Sequence, residues 1–319
     1  MKDPNAFIQK AINKLKQDIP APGKAIIAVS GGVDSTAATA LCAKALGDRL
    51  HAVHVDTGLM RKNESIEVVE ALKMMGVNAE LADEKDLFFT ALKGATEPEE
   101  KRKIIGNKFI EVFEKKAKAV GAEYLVQGTI APDWIESGGG LRDNIKSHHN
   151  VGGLPEKMNL KLVEPLRDLY KDEVRQVCEA LGVPKELYEK QPFPGPGLGV
   201  RILGEVTPEK AAVLQEADYI YRDEIKQAVE RGEIEEPWQY FAVLLPVRTV
   251  GVQGDLRTYG YVIGLRAVAS ADGMTANFSR FPPELMERIS TRITNTLKKD
   301  VNRVVYDITN KPPGTIEWE

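Results

Sequence analysis

The sequence predicts an α/β protein, a doubly wound parallel sheet followed by a smaller α+β domain. Two observations carry the first part. Short apolar runs alternate with helical patterns from Ala25 to Val126, which implies crossover connections and parallel strands. The first run, Ala-Ile-Ile-Ala-Val at 25–29, is apolar throughout, as in a strand covered on both faces. A third observation carries the second part: the Pro/Gly run from Gln191 to Gly199 divides the chain, and the pattern changes beyond it.

The elements follow in order. Phe7, Ile8, Ala11, Ile12 and Leu15 recur at helical spacing, so the N-terminus reads as an amphipathic helix and not as a secretory leader. After the 25–29 strand come a glycine-rich turn and a small-residue helix over 34–46. Residues 50–55 form a second strand, 64–75 a helix and 77–81 a third strand. A long amphipathic helix spans 101–120 and ends at Gly121, and a fourth strand begins at 124–126. From 131 to 155 the periodicity fails, and a loop that long is a functional lid or disordered. A helix over 171–181 stops at Gly182 and Pro184. The second domain offers a helix at 208–231 and apolar or alternating runs at 241–247, 260–268 and 301–308. Leu285, Ile289, Ile293 and Leu297 mark one face of a further helix. The expected domains are 1–194, with the lid near 131–155, and 195–319.

Composition narrows the function. The 43 Lys and Arg against 47 Asp and Glu give a net charge of −4, the wrong sign for a nucleic-acid or membrane-surface binder. No run approaches the roughly 20 apolar residues of a membrane span. Only Cys42 and Cys178 are present, which fits a reducing cytosol and excludes a disulfide framework. A cytoplasmic location is expected.

Ser30-Gly31-Gly32-Val33-Asp34-Ser35-Thr36 lies between a strand and a helix. The glycines let backbone approach a ligand, the helix start offers free N–H groups, and three hydroxyls add donors. The expected ligand is a phosphate. The loop has no lysine of the Walker kind, yet it has Asp34. A divalent cation would reconcile that carboxylate with phosphate, so Mg²⁺ near Asp34 is expected. The competing reading is a tight turn that only packs helix on strand. Asp56, after the second strand, suits a nucleoside ribose or a helix cap. Gly128-Thr129, after the fourth, lines the same pocket or forms a turn.

The 131–155 stretch carries Asp133, Glu136, Arg142, Lys146, His148 and His149. Pyrophosphate leaving from ATP needs positive charge, which a lid carrying Lys146 would bring. The competing reading is a solvated surface loop. The two adjacent histidines lack companions for a usual zinc set.

The loop at 30–36 matches the pyrophosphate loop of the N-type ATP pyrophosphatases. Longer strings carry a closer resemblance: Gly128–Ser137, Lys146–Pro155, Pro192–Arg201, Val250–Asp255 with Arg257-Thr258-Tyr259, and Lys311–Glu319. From about residue 24 to the C-terminus the chain resembles the synthetase part of the GMP synthase family. The resemblance implies adenylation of XMP by ATP, loss of pyrophosphate, and attack of ammonia to give GMP and AMP. It implies that Ser30, Gly31, Gly32, Val33, Asp34, Ser35 and Thr36 hold pyrophosphate, with Asp56, Gly128 and Thr129 beside the nucleotide. It places Asp133, Glu136 and Lys146 at the reacting centre, and Gln253, Arg303, Lys311, Ile316 and Glu317 on XMP. Without the resemblance, 315–319 reads as a terminal strand with Ile316 and Trp318 inward.

Two departures stand out. Ala276-Asn277-Phe278 replaces an aspartate–tryptophan pair of many relatives. Full-length relatives also begin with a glutamine amidotransferase domain that this chain lacks, and both cysteines sit in apolar helical patterns. A separate amidotransferase subunit, as in the two-subunit archaeal arrangement, and a homodimer formed by the second domain are therefore expected. The rival readings are a tRNA sulfur-transferase or another amidating member of the superfamily, and a non-catalytic adenine-nucleotide sensor.

Overall fold

A computed structural model of the chain describes residues 3–136, 160–271 and 273–319, with the side chains of 134–136 outside that description. Two compact units form. The first comprises residues 1–57, 63–85 and 106–195, and the second 58–62, 86–105 and 196–319.

The first unit is built on a five-stranded parallel sheet. Its strands are β1 (Ala25–Ala28), β2 (Leu50–Asp56), β3 (Ala79–Asp83), β4 (Tyr124–Val126) and β5 (Lys161–Val163), in the order β3-β2-β1-β4-β5. Register is set by pairs such as Ile27 with Ala52 and Ile27 with Val126. Ala25, Ile26 and Ile27 are at most 1% exposed, so β1 is covered on both faces, as its unbroken apolar run requires. The chain moves one way from β1 to β2 and β3, and the other way to β4 and β5. β1 is thus the switch point, where doubly wound sheets place ligands beyond the strand C-termini.

α1 (Pro4–Asp18), α2 (Val33–Leu46) and α7 (Lys171–Ala180) pack together, while α3 (Glu64–Met74) lies against β2 and β3. Ala37, Ala38, Ala40 and Cys42 give α2 a thin surface that its neighbours approach closely. α4 (Lys85–Leu92) and α5 (Pro98–Val120) precede β4, the short α6 (Ala131–Glu136) follows it, and α8 (Lys185–Tyr188) leads into the Pro/Gly run. The fifth strand, at the sheet edge with two exposed residues, carries no clear apolar signal in the sequence.

The second unit centres on β6 (Gln239–Gln253) and β7 (Leu256–Ala269), an antiparallel hairpin with a register shift between Leu245 and Arg248. On the other edge, β7 takes the short β8 (Asn277–Phe278) antiparallel and β9 (Val301–Tyr306) parallel. α9 (Pro208–Glu230) and α10 (Pro283–Thr296) complete it, with Leu285, Ile289 and Ile293 wholly buried. Leu198 N–H donates to Leu59 C=O at 2.7 Å and Gly94 N–H to Glu205 at 2.8 Å, so the 58–62 and 86–105 segments are bonded into this unit. No helix of the described residues is long and apolar enough to cross a membrane.

Candidate functional site

The loop after β1 is organised by its own short-range bonds. Ser30 Oγ accepts the Gly32 N–H at 3.3 Å and lies 3.0 Å from Ser35 Oγ, whose hydroxyl donates to Gly32 C=O at 3.1 Å. Gly31 adopts φ +81°, and a Cβ there would lie 2.9 Å from Val68 on α3. Glycine is therefore required at this position twice, by backbone and by space. Gly32 is the N-cap of α2 and supplies no side-chain hydrogen bond to the helix start. Such an uncapped helix start at a switch point attracts phosphate.

The loop's hydroxyls differ in access. Ser30 is exposed and Ser35 half-buried, whereas Thr36 is 1% exposed. Val33 is buried beside it. Asp34 lies in the first turn of α2 with its Oδ1 sealed from solvent. A Cβ on Gly128 would come 2.9 Å from the Asp34 carbonyl, so the chain after β4 rests directly on the loop's backbone. One carboxylate among hydroxyls fits a cation shared with phosphate oxygens better than a protein cage. Among the described residues no group of three or more His, Cys, Asp or Glu side chains is placed to hold a metal.

Asp56 ends β2 and is 7% exposed, with Lys85 Nζ at 3.2 Å. The N-cap of the next helix, α3, is Asn63. Behind the loop, buried His54 meets Val29 C=O at 2.7 Å through Nδ1 and Ser65 Oγ at 3.1 Å through Nε2. Burial lowers its pKa below the usual 6.5, against the opposing pull of that carbonyl and of Asp56 and Glu64. The neighbouring Glu64 is 6% exposed and takes Lys190 Nζ at 3.2 Å. A Cβ on Gly31 would lie 3.9 Å from that ammonium. Sequence reasoning did not single out Lys190, because nothing local links it to a loop so far away in the chain.

Asp133 lies in α6, where its Oδ2 accepts the Ile130 N–H at 3.0 Å. The side chain of Glu136, with Arg142, Lys146, His148 and His149, lies outside the described residues. Cys42 and Cys178 are wholly buried, and burial pushes both thiols up to about 12, with Asp34 adding to the effect at Cys178. Burial and a raised pKa both disfavour the reactive thiolate at these two positions.

In the second unit, three buried cations hold the C-terminal tail. Arg201, 1% exposed, donates to Glu317 through Nε at 3.0 Å and Nη2 at 2.7 Å, and Gln239 adds a bond at 3.1 Å. Lys101, with no exposed surface, donates to Gly199 C=O at 3.2 Å, Ile202 C=O at 2.7 Å and Glu319 at 2.5 Å. Arg266 holds the Thr309 and Thr315 carbonyls and lies 3.3 Å from Asp307. Residues 312–319 form no strand, and Trp318 is 37% exposed, so the terminal-strand reading is not what the chain adopts.

The five residues expected on XMP lie on several segments of the second unit. Lys311 Nζ donates to Gly273 C=O at 2.8 Å, and Ile316 is half-buried beside Glu317. Arg303 is exposed on β9 opposite Val262. Gln253 sits at the hairpin tip, its amide on Lys298 C=O. Lys311 bridges Ala276 near the other end of β7, so at about 3.3 Å per residue the two lie roughly 40 Å apart along that strand.

The switch-point loop and its uncapped helix define a nucleotide-binding α/β enzyme. Profiles of known families agree: residues 3–109 match NAD synthase, and residues 224–318 match the GMP synthase C terminal domain. Over 314 residues the chain is 58% identical to a subunit of the glutamine-hydrolyzing GMP synthase of Pyrococcus horikoshii, covering 98% of each chain. It is 55% identical to the corresponding subunit from Methanopyrus kandleri over the whole of both chains. It is 52% identical to the glutamine-hydrolyzing GMP synthase of Limosilactobacillus reuteri, of which it spans 60%. The chain belongs to the GMP synthase family, and it is the ATP-dependent synthetase component, a ligase.

Proposed function

We infer that the chain aminates XMP to GMP at the expense of ATP, using ammonia supplied by a separate glutamine amidotransferase subunit. The observation that carries this reading is the loop 30–36 on an uncapped helix at the β1 switch point, within a chain that matches one subunit of an archaeal GMP synthase end to end. The XMP C2 oxygen attacks the α-phosphorus of ATP. An O–P bond forms, the bridging P–O bond to the β-phosphate breaks, and pyrophosphate leaves with the electron pair. Ammonia then attacks C2, the C–O bond breaks, AMP leaves, and the nitrogen loses a proton. Activation matters because a urea-like oxygen is a poor leaving group and AMP a good one.

The residues take the following parts. Ser30, Ser35 and the α2 N–H groups hold the departing pyrophosphate, and Gly31 and Gly32 let it approach. Asp34 holds Mg²⁺, which when bound neutralises phosphate charge. Asp56, Gly128 and Thr129 border the nucleoside. Asp133, Glu136 and Lys146 act at the reacting centre. Arg303 and Lys311 suit the XMP phosphate, and Ile316 and Glu317 the base. Gln253 reaches XMP through a second copy of the chain. The span of β7 between Gln253 and Lys311 supports this, as do the exposed Val250, Val252, Leu256 and Tyr259 on the hairpin arm. Sedimentation at micromolar concentration will give a dimer, and a monomer would remove that role for Gln253.

A product assay tests the reading. Purified chain with Mg-ATP, XMP and ammonium will yield GMP, AMP and pyrophosphate in equal amounts, whereas glutamine in place of ammonium will yield none. GMP from glutamine alone would show a glutaminase in this chain. Absence of XMP-dependent AMP under both conditions would leave the nucleotide-sensor reading standing.

A further inference from the structure

We propose that Lys190, from the segment that joins α8 to the Pro/Gly run, is the cation that meets pyrophosphate in the 30–36 loop. The proposal rests on the reading above that this loop holds the leaving pyrophosphate. Breaking the bond between the α- and β-phosphates leaves charge on oxygens that the loop's neutral donors only partly meet, and Asp34 adds a charge of the wrong sign. The loop itself contains no Lys or Arg. Lys190 brings one to its edge, with Nζ 3.9 Å from the position of a Cβ on Gly31, the residue whose φ of +81° shapes the turn.

The ammonium is aimed rather than free. Glu64, at the start of α3, holds it at 3.2 Å with a side chain only 8% exposed, and the Lys190 side chain is 23% exposed. An ammonium has three N–H donors, so one can remain on Glu64 while others meet phosphate oxygens. Glu64 in turn is fixed beside Ser65, which bonds His54 on β2. The arrangement puts a positioned charge beside the loop without a lysine in its sequence. It differs from a Walker loop in that the charge arrives from another part of the chain.

Inorganic pyrophosphate with Mg²⁺, titrated calorimetrically into the full chain, tests this without depending on XMP. Lys190→Met will weaken pyrophosphate binding at least tenfold and, where XMP-dependent AMP formation is measured, lower kcat on the order of 100-fold. Lys190→Arg will restore most of both. Glu64→Gln will keep pyrophosphate binding within about threefold of wild type, because the ammonium stays beside the loop. Thermal midpoints of the three variants identify any that fold poorly, and Lys190→Arg keeps the comparison decisive if Lys190→Met is one of them. Equal losses in Lys190→Met and Glu64→Gln would overturn the proposal, since a purely structural ion pair behaves that way. So would pyrophosphate binding by Lys190→Met within twofold of wild type. Normal pyrophosphate binding without XMP turnover would instead count against the XMP reading alone.

Discussion

The 30–36 loop and the C-terminal tail are assembled in opposite ways. The hydroxyl bonds of Ser30 and Ser35 that shape the loop join residues within five positions of each other. The bonds that place the tail span 43 residues for Arg266 to Thr309, 116 for Arg201 to Glu317 and 218 for Lys101 to Glu319. The loop is therefore specified by a contiguous string and a helix start, whereas the tail depends on cations delivered by distant elements. A second contrast follows from charge. Neutral donors and a helix terminus shape the loop, while the tail is held by ion pairs whose cations are buried. Breaking such a pair leaves an uncompensated buried charge, a larger cost than losing one exposed bond.

Removing a buried cation should have the largest effect. Arg201→Met leaves Glu317 without its bidentate partner and should destabilise the chain by about 3–5 kcal/mol, lowering the thermal midpoint by roughly 10 °C. Differential scanning calorimetry reads the loss, and a midpoint within about 2 °C of wild type would show that the tail does not depend on this pair. Gly31→Ala should be milder globally and severe locally. Forcing a Cβ into a left-handed conformation costs about 1–2 kcal/mol, and the contact with Val68 adds to it. Nucleotide turnover should fall at least tenfold while the midpoint moves only a few degrees, and Gly31→Ala with Val68→Ala should recover part of the turnover.

The buried histidine sharpens the comparison through pH. Burial makes His54 take up its proton at a lower pH in the fold than in the unfolded chain, whose ring titrates near 6.5. The unfolded state then carries more protons, so stability falls as pH drops through 6.5 and is flat above it with respect to this group. Denaturant titrations from pH 8 to 5 should show the decline, and His54→Asn should flatten it. The smallest expected effect concerns the cysteines. Native chain treated with iodoacetamide at pH 7.5 should keep its activity, with Cys42 and Cys178 labelled only after unfolding.

The loop of 30–36 was legible because its residues supply both geometry and chemistry within seven positions. Asp56 was legible only in part. Its place at the end of β2 follows from strand patterning, but its pairing with Lys85 depends on how α4 begins beside it. Thr36 reads in the sequence as a loop donor, and its burial at the start of α2 depends on how neighbouring elements pack there. Lys190 was not legible, because no period or motif joins it to Gly31.

By itself the sequence determined the parallel first sheet, its β1-to-α2 loop and the helical faces of the second unit. All of these depend on periodicity, turn chemistry or contiguous residues, which are written along the chain. Only the tertiary structure decided that Glu64 aims Lys190 at the loop, that Arg201, Lys101 and Arg266 clamp the tail, and that Gln253 lies far from Lys311. Those outcomes depend on which distant side chains share one buried space, where a low dielectric makes each charge seek a partner whatever its position in sequence.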